Sequence, residues 1–244
     1  MTHNRYLLTI YSIAACRCIH WATASLLLIS LVIGGCSALP DKPQRATLYD
    51  FGPSVMTAQA EPRQTMLPAV AIDDIATPGG GLDNSAVLYR LGYQDAQELR
   101  AYSLARWSAP PAQLVRQRLR DQLSLRRPVY NARESLALNR GQNAVLPLQV
   151  RLELLEFSHF FATPDASTGL VKLRATLVEV TTSGEKLIGQ RSVVVERPAP
   201  SADAQGGVRA LTLALDAAIA EIDQWLQTAP SASASASAPA SARP

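Results

Sequence analysis

The apolar positions of this chain change period several times, and each change marks an element. Residues 47–51 alternate and end at Gly52-Pro53, which predicts a short strand closed by a turn. A loop follows over 53–65. Residues 66–75 read as a second strand with Val70, Ile72 and Ile75 as its apolar members, ended by Pro78 and three consecutive glycines within 77–81. Residues 86–91 and 98–107, rich in Tyr, Val and Leu, give two more strands across a polar bend at 94–97. The spacing then becomes helical. Ser108 or Ala109 can cap, Pro110 and Pro111 stand where a helix tolerates a missing N–H, and Leu114, Val115, Leu119 and Leu123 recur about every 3.6 residues. Arg116, Arg120 and Asp121 make the polar side. Arg118 falls inside the apolar arc and is expected to snorkel to its edge.

The second half is more regular. Leu148, Val150, Leu152 and Leu154 alternate with Gln149, Arg151 and Glu153 in a half-buried strand over 148–157. Val171, Leu173, Ala175 and Leu177 alternate in the same way, and Ser183-Gly184 turns the chain into a strand at 187–196, so these two should form an antiparallel hairpin. A long helix closes the pattern, with Asp203 as its cap and Val208, Leu211, Leu215, Ile219, Ile222 and Leu226 spaced by three or four; Trp225 extends or borders that stripe. The expected fold class is α+β: one domain with an antiparallel or mixed β-sheet on which two main helices bury their apolar stripes.

The first forty residues have a different character. Arg5 and Arg17 are the only basic residues before Cys36, no acid occurs there, and residues 22–33 are almost wholly apolar. This is the profile of a secretory signal. The apolar run is nearer a dozen residues than the ~20 that span a bilayer, and Gly34-Gly35 interrupts it, so a cleaved signal fits better than a permanent transmembrane helix. Ile33-Gly34-Gly35-Cys36 resembles the lipobox of bacterial lipoproteins, with Ile33 where that family usually has Leu. The resemblance implies cleavage between Gly35 and Cys36 and lipidation of the Cys36 thiol by diacylglycerol, with a further N-acyl chain. An ordinary signal peptide followed by a chance cysteine is the alternative. Ser37 stands where the inner-membrane retention signal of such lipoproteins has Asp, which implies the outer membrane. The expected organisation is a signal peptide at 1–35, a lipidated tether at 36–45, a folded domain at 46–228 and a disordered Ala/Ser/Pro tail at 229–244.

Composition changes this picture little. Without residues 1–35 the chain loses two of its 23 basic residues and none of its 20 acids, so its formal charge falls from +3 to +1. Nine arginines lie between residues 100 and 140. In a cytosolic protein they would suggest nucleic acid. In an exported one they read as a solvated face, a lipid-headgroup contact or a protein-docking face, and no nucleic-acid partner is expected. Cys16 and Cys18 leave with the signal, so beyond it Cys36 is the one cysteine and His159 the one histidine.

That inventory removes most catalytic constellations. A Ser-His-Asp triad would have to use His159, which sits among Phe157, Phe160 and Phe161 at a strand end with no nucleophile motif nearby; a structural role is expected. A His/Cys metal site lacks ligands, although an all-carboxylate calcium site stays open. Asp73 and Asp74, adjacent on a strand, point to opposite faces and are no carboxylate pair. Gly79-Gly80-Gly81 lacks the Lys-Ser/Thr of a phosphate loop and reads as a flexible turn. No catalytic residue, metal ligand or cofactor is assigned beyond the acyl chains on Cys36. Tyr89, Tyr93, Tyr102 and Trp107 are either core aromatics or contacts with lipid or a partner.

Taken together, Cys36, Tyr49-Asp50-Phe51-Gly52-Pro53, Val87-Leu88-Tyr89-Arg90 and Tyr102-Ser103-Leu104-Ala105-Arg106-Trp107-Ser108-Ala109-Pro110-Pro111 before a helix resemble the ABC-type transport auxiliary lipoproteins. The resemblance runs from about Cys36 to Leu226. Its most specific piece is the stretch from Arg106 to Pro111. It implies a non-enzymatic, lipid-anchored periplasmic subunit, docked on the outer membrane and its lipid. Its partners would be an ABC ATPase, a permease and an MCE-domain protein that move lipid, phospholipid foremost, across the envelope. Tyr89, Arg90, Tyr102, Arg106, Trp107, Pro110 and Pro111 are the family-motif or contact residues it points to. A ring-forming homo-oligomer is compatible with the family, but no residue argues for one. The rival reading is an envelope scaffold or assembly lipoprotein without a transport role.

Overall fold

The computed structural model describes residues 44–53, 66–138, 146–181 and 183–229. The expected signal peptide with Gly35 and Cys36, nearly all of the tether, the 53–65 loop after Pro53, and the tail beyond Ala229 lie outside the described residues. In chain order the elements are β1 (Thr47–Tyr49), β2 (Val70–Ile72), β3 (Ala86–Leu91), β4 (Asp95–Trp107), α1 (Pro111–Ser124), β5 (Val129–Asn131), α2 (Ala132–Leu138), β6 (Leu148–Phe161), β7 (Ser167–Thr181), β8 (Gly184–Pro198) and α3 (Ala204–Thr228). The fold is α+β, with one mixed sheet that branches at β6.

Along one edge β6 pairs antiparallel with β7, which pairs antiparallel with β8 in the hairpin the alternation calls for. Its other edge is shared end to end by two parallel neighbours. Val70 of β2 lies opposite Leu148, and Tyr89 of β3 lies opposite His159. Outside β2 runs β5, parallel; outside β3 runs β4, antiparallel, and beyond it β1, parallel to β4.

Helix α3 lies across β7 and β8 and reaches β6. Asp203 caps it, its Oδ1 accepting from the Gly206 N–H at 2.7 Å. Its stripe Val208, Leu211, Leu215, Ile219, Ile222 and Leu226 is buried against Val171, Leu173, Ala175 and Leu177 of β7 and Val193 and Val195 of β8. Burial of each large side chain contributes roughly 1.5–3 kcal/mol, which makes this layer the main source of stability. The approach is close: a Cβ on Gly169 of β7 would lie 2.4 Å from the backbone of Ala210 and Leu211. On β6 the core-facing parity changes along the strand. Val150, Leu152 and Leu154 face inward, a register shift follows at Leu155, and from there Phe157, His159 and Phe161 face inward instead.

Four expectations are corrected by the structure. Residues 66–75 do not form one strand, because only 70–72 keep a ladder; Pro68 lacks a donor, and past Ile72 the chain holds to β6 by separate bonds from the Asp73 N–H to Val150 O and from the Ala76 N–H to Leu152 O. Neither Ser108 nor Ala109 caps α1: Pro110 takes that position in an extended conformation without a side-chain bond, and the Ser108 N–H donates instead to Tyr49 O at 2.7 Å. Strands β4 and β6 run further than their apolar patterns, to Asp95 and Phe161. Arg118 does not snorkel. It is 8 % exposed, and its Nε and Nη2 each donate at 2.8 Å to the two oxygens of Asp216 on α3.

Candidate functional site

The motif residues converge around β4, and the irregularity of that strand explains why. Ala86 pairs with Arg106 but Leu88 pairs with Ala101, so β4 uses five residues where β3 uses two. The same happens again between the pairs Tyr89–Arg100 and Leu91–Asp95. Each irregularity leaves backbone carbonyls without ladder partners, which is costly unless something else donates to them. Arginines of β4 and β3 do so. Arg106 Nη1 donates to Tyr102 O at 2.5 Å and Ala105 O at 2.8 Å. Arg90 Nη1 donates to Ala96 O at 3.2 Å and Gln97 O at 3.0 Å, while its Nε and Nη2 grip Glu156 of β6 at 3.2 and 3.0 Å. A guanidinium suits this work, since its planar fork reaches several acceptors at once.

Trp107 is 2 % exposed and belongs to the core rather than to any surface. Its ring meets Phe51 at 5.3 Å and Phe157 at 5.5 Å, and Phe51 meets Phe157 at 5.9 Å, all tilted or edge-on. Two distant motif stretches are thereby joined, because Tyr49 lies beside Trp107 in register. Past Phe51 the chain turns at Gly52, whose φ of +68° needs a residue without a side chain and whose N–H donates to Asp50 Oδ1 at 2.8 Å. On the other side Pro110 and the buried Pro111 set the direction of α1. Of the four aromatics Tyr93 is exposed, while Tyr89 and Tyr102 pack together at 4.6 Å.

The bulge that Arg106 holds presents Tyr102 to His159. The Tyr102 hydroxyl lies 2.9 Å from His159 Nδ1, and Ser167 Oγ of β7 lies 2.8 Å from Nε2. His159 is fully buried under the first turn of α3, where a Cβ on Gly207 would come within 2.4 Å of its Nδ1. Burial lowers its pKa to about 4, opposed by the nearby Asp203 carboxylate, so the ring is neutral at physiological pH. Burial likewise raises the Tyr102 phenol far above its ordinary range. Asp203 is held below the usual carboxylate range by the Gly206 N–H and the Ser201 hydroxyl. Ser167 and His159 share a hydrogen bond, but both ring nitrogens are engaged and α3 covers them. The cluster locks α3 to β4, β6 and β7.

Among the described residues most arginines of this stretch are engaged within the fold. Arg127 and Arg126 pair with Asp223 on α3, Arg118 pairs with Asp216, and Arg100 pairs with Glu98. Arg116 and Arg120 both donate to Asn131 Oδ1. Asp73 and Asp74 diverge as expected, Asp73 toward Gln149 and Asp74 toward Arg116. Among the described residues no group of three or more His, Cys, Asp or Glu could hold a metal, and no described helix is long and apolar enough to cross a membrane. Sequence reasoning missed the partners: Ser167, Glu156, Asn131, Asp216 and Asp223. Asp216 and Asp223 stand seven apart beside the apolar stripe of α3, the one signal that could have matched them to the arginines around α1.

These features define an α+β domain whose motif residues build its frame. The chain belongs to the family of ABC-type transport auxiliary lipoprotein components, whose model matches residues 49–223. It is therefore an auxiliary lipoprotein of an ABC-type transport system, a membrane-anchored protein of the cell envelope. Its fold is that of a crystallised Xanthomonas campestris protein assigned to the family model DUF330, at 16 % identity and a TM-score of 0.55 over 66 % of this chain and 84 % of that one. A second crystallised protein, described only as uncharacterized, is similar at 13 % identity and a TM-score of 0.52, covering 75 % of this chain and 99 % of its own. No curated protein matches in sequence.

Proposed function

We propose that this protein is a non-catalytic docking subunit, anchored through acylated Cys36 at the periplasmic face of the outer membrane. It connects that membrane to an ABC/MCE-type transporter that moves lipid, phospholipid foremost, across the envelope. The observation that carries the reading is the family match over residues 49–223 in a chain whose Cys36 follows a lipobox-like Ile-Gly-Gly. The frame around β4 supports it: a sheet held by Arg90, Arg106 and the Trp107 cluster offers a rigid platform, as a docking part requires. Two or three acyl chains on one cysteine give stable anchoring, since each buried methylene contributes about 0.8 kcal/mol.

The test is affinity purification of the full chain from solubilised membranes, with mass spectrometry of the co-purifying chains and of the mature N-terminus. Recovery of an MCE-domain protein and ABC subunits with an acylated Cys36 is the expected result. An acylated Cys36 with those partners absent sinks the transport role and leaves an envelope scaffold. A Cys36→Ser chain should leave the membrane fraction.

A further inference from the structure

An open groove of about 680 Å³ runs beside the first three turns of α1. One wall is the solvent side of the helix, where Gln113, Arg116, Gln117 and Arg120 recur at the spacing of a single helical face. The other carries Asp74 and Asp83 from the segment between β2 and β3, and Asp121 borders the helical wall. Guanidinium and amide donors thus face carboxylates across a gap large enough for a small molecule.

Two cations of this groove share one side-chain acceptor, with the Glu134 carboxylate close to both. Arg116 Nη2 and Arg120 Nη1 converge on one neutral oxygen, Asn131 Oδ1, while the amide and backbone N–H of Asn131 are spent on Glu134. Two like charges four residues apart on a helix repel each other. Arg116 Nε is buried with no hydrogen-bond partner among the described residues, which is unfavourable for a charged group. The carboxylate nearest Arg116, that of Asp74, meets Nη1 at 3.2 Å with 85 % of its side chain exposed. A rim pair of this kind is weak and open to exchange.

We propose that the groove binds a phosphate ester that also carries an ammonium group. The phosphate oxygens bridge Arg116 and Arg120 from the groove side, with the Gln113 and Gln117 amides as further donors. The ammonium takes over the Asp74 carboxylate and the oxygen of Asp83 that does not accept from the Thr77 hydroxyl. A plain anion would face Asp74 and Asp83 across from the two arginines, whereas a zwitterion satisfies both walls. The site stands apart from the docking reading: its ligand is either a phospholipid headgroup or a free phosphate ester.

The experiment is calorimetric titration of the purified, acylated full chain in detergent micelles with O-phosphoethanolamine and with methyl phosphate. Wild type should prefer O-phosphoethanolamine. Arg120→Gln should weaken both probes about tenfold or more, the size expected for losing a charge-assisted contact. Asp74→Asn separates the readings: it should weaken O-phosphoethanolamine while tightening methyl phosphate, because it removes the ammonium's partner and releases Arg116. Arg209→Gln, exposed on α3 and outside the groove, should change neither. Mass spectrometry of the intact complex then distinguishes the sources: phosphatidylethanolamine carried by wild type and lost from Arg120→Gln identifies a headgroup, and binding of the soluble probe alone identifies a free ester. No binding, equal binding of the two probes, or an Arg120→Gln chain that melts like wild type and binds equally well overturns the proposal.

Discussion

His159 should make this fold sensitive to mild acid. In the unfolded chain a histidine titrates near 6.5, whereas in the fold its pKa is lowered to about 4 by burial. Between those values the unfolded chain holds a proton that the folded chain lacks, so stability rises with pH and is lost as pH falls through the window. The slope approaches 1.4 kcal/mol per pH unit, and the whole window amounts to about 3 kcal/mol with the opposing Asp203 already included. The geometry explains why the cost cannot be relieved locally: Gly207 of α3 is packed onto the ring, and Tyr102 and Ser167 occupy both nitrogens. The assay is urea unfolding of the wild type and His159→Gln at several pH values from 4.5 to 7.5. Carboxylates titrate in the lower part of this range in both proteins, so the quantity to follow is the difference between the two stability curves. His159→Gln should be less stable at pH 7.5, and the gap should narrow by about 2–3 kcal/mol toward pH 4.5. Parallel curves would refute the argument, because they would mean that the ring carries no proton penalty in the fold.

Asp216→Ala leaves the Arg118 guanidinium buried without its carboxylate and should cost about 3–5 kcal/mol in denaturant unfolding, whereas Arg118→Met with Asp216→Leu should cost far less. Gly207→Ala drives a methyl into His159 and should destabilise by about 1–3 kcal/mol, with a lower melting temperature as the readout. Trp107→Ala opens the junction with Phe51 and Phe157 and should cost about 3–5 kcal/mol by the same measurement. Arg106→Ala uncovers the carbonyls of Tyr102 and Ala105 for a loss of about 1–3 kcal/mol, and amide exchange across β3 and β4 should accelerate while that of β7 does not.

What the sequence made legible depended on periodicity. Strands β6, β7 and β8 and both long helices stand out because each buries one face, and one face leaves a period of two or 3.6. The Asp203 cap was legible for a related reason, since it is a local bond. Short β5 and α2 were missed because three and seven residues carry too little period to register. The switch of parity at Leu155 was hidden as well. A strand that exchanges inner and outer faces midway reads as two weaker patterns, and the one read from the sequence ended at Phe157, short of the two residues, His159 and Phe161, that follow it on the inner face.

The motif residues show a different limit. Arg90 and Arg106 could be singled out along the chain as polar residues in strands, where an exposed contact face is the natural inference. Their work depends on register: each answers carbonyls that β4 leaves open by carrying extra residues against β3, and nothing in composition or spacing announces a register shift. The same holds for Arg118, whose apolar neighbours made its charge look misplaced until Asp216 arrived from a helix ninety-eight residues away. Periodicity therefore located the layers of this domain, and long-range pairing decided what its charged residues do. A charged residue at a core position is best read as a request for a partner on another element. In this fold Asp216 and Asp223 of α3 and the carbonyls of β4 answer it.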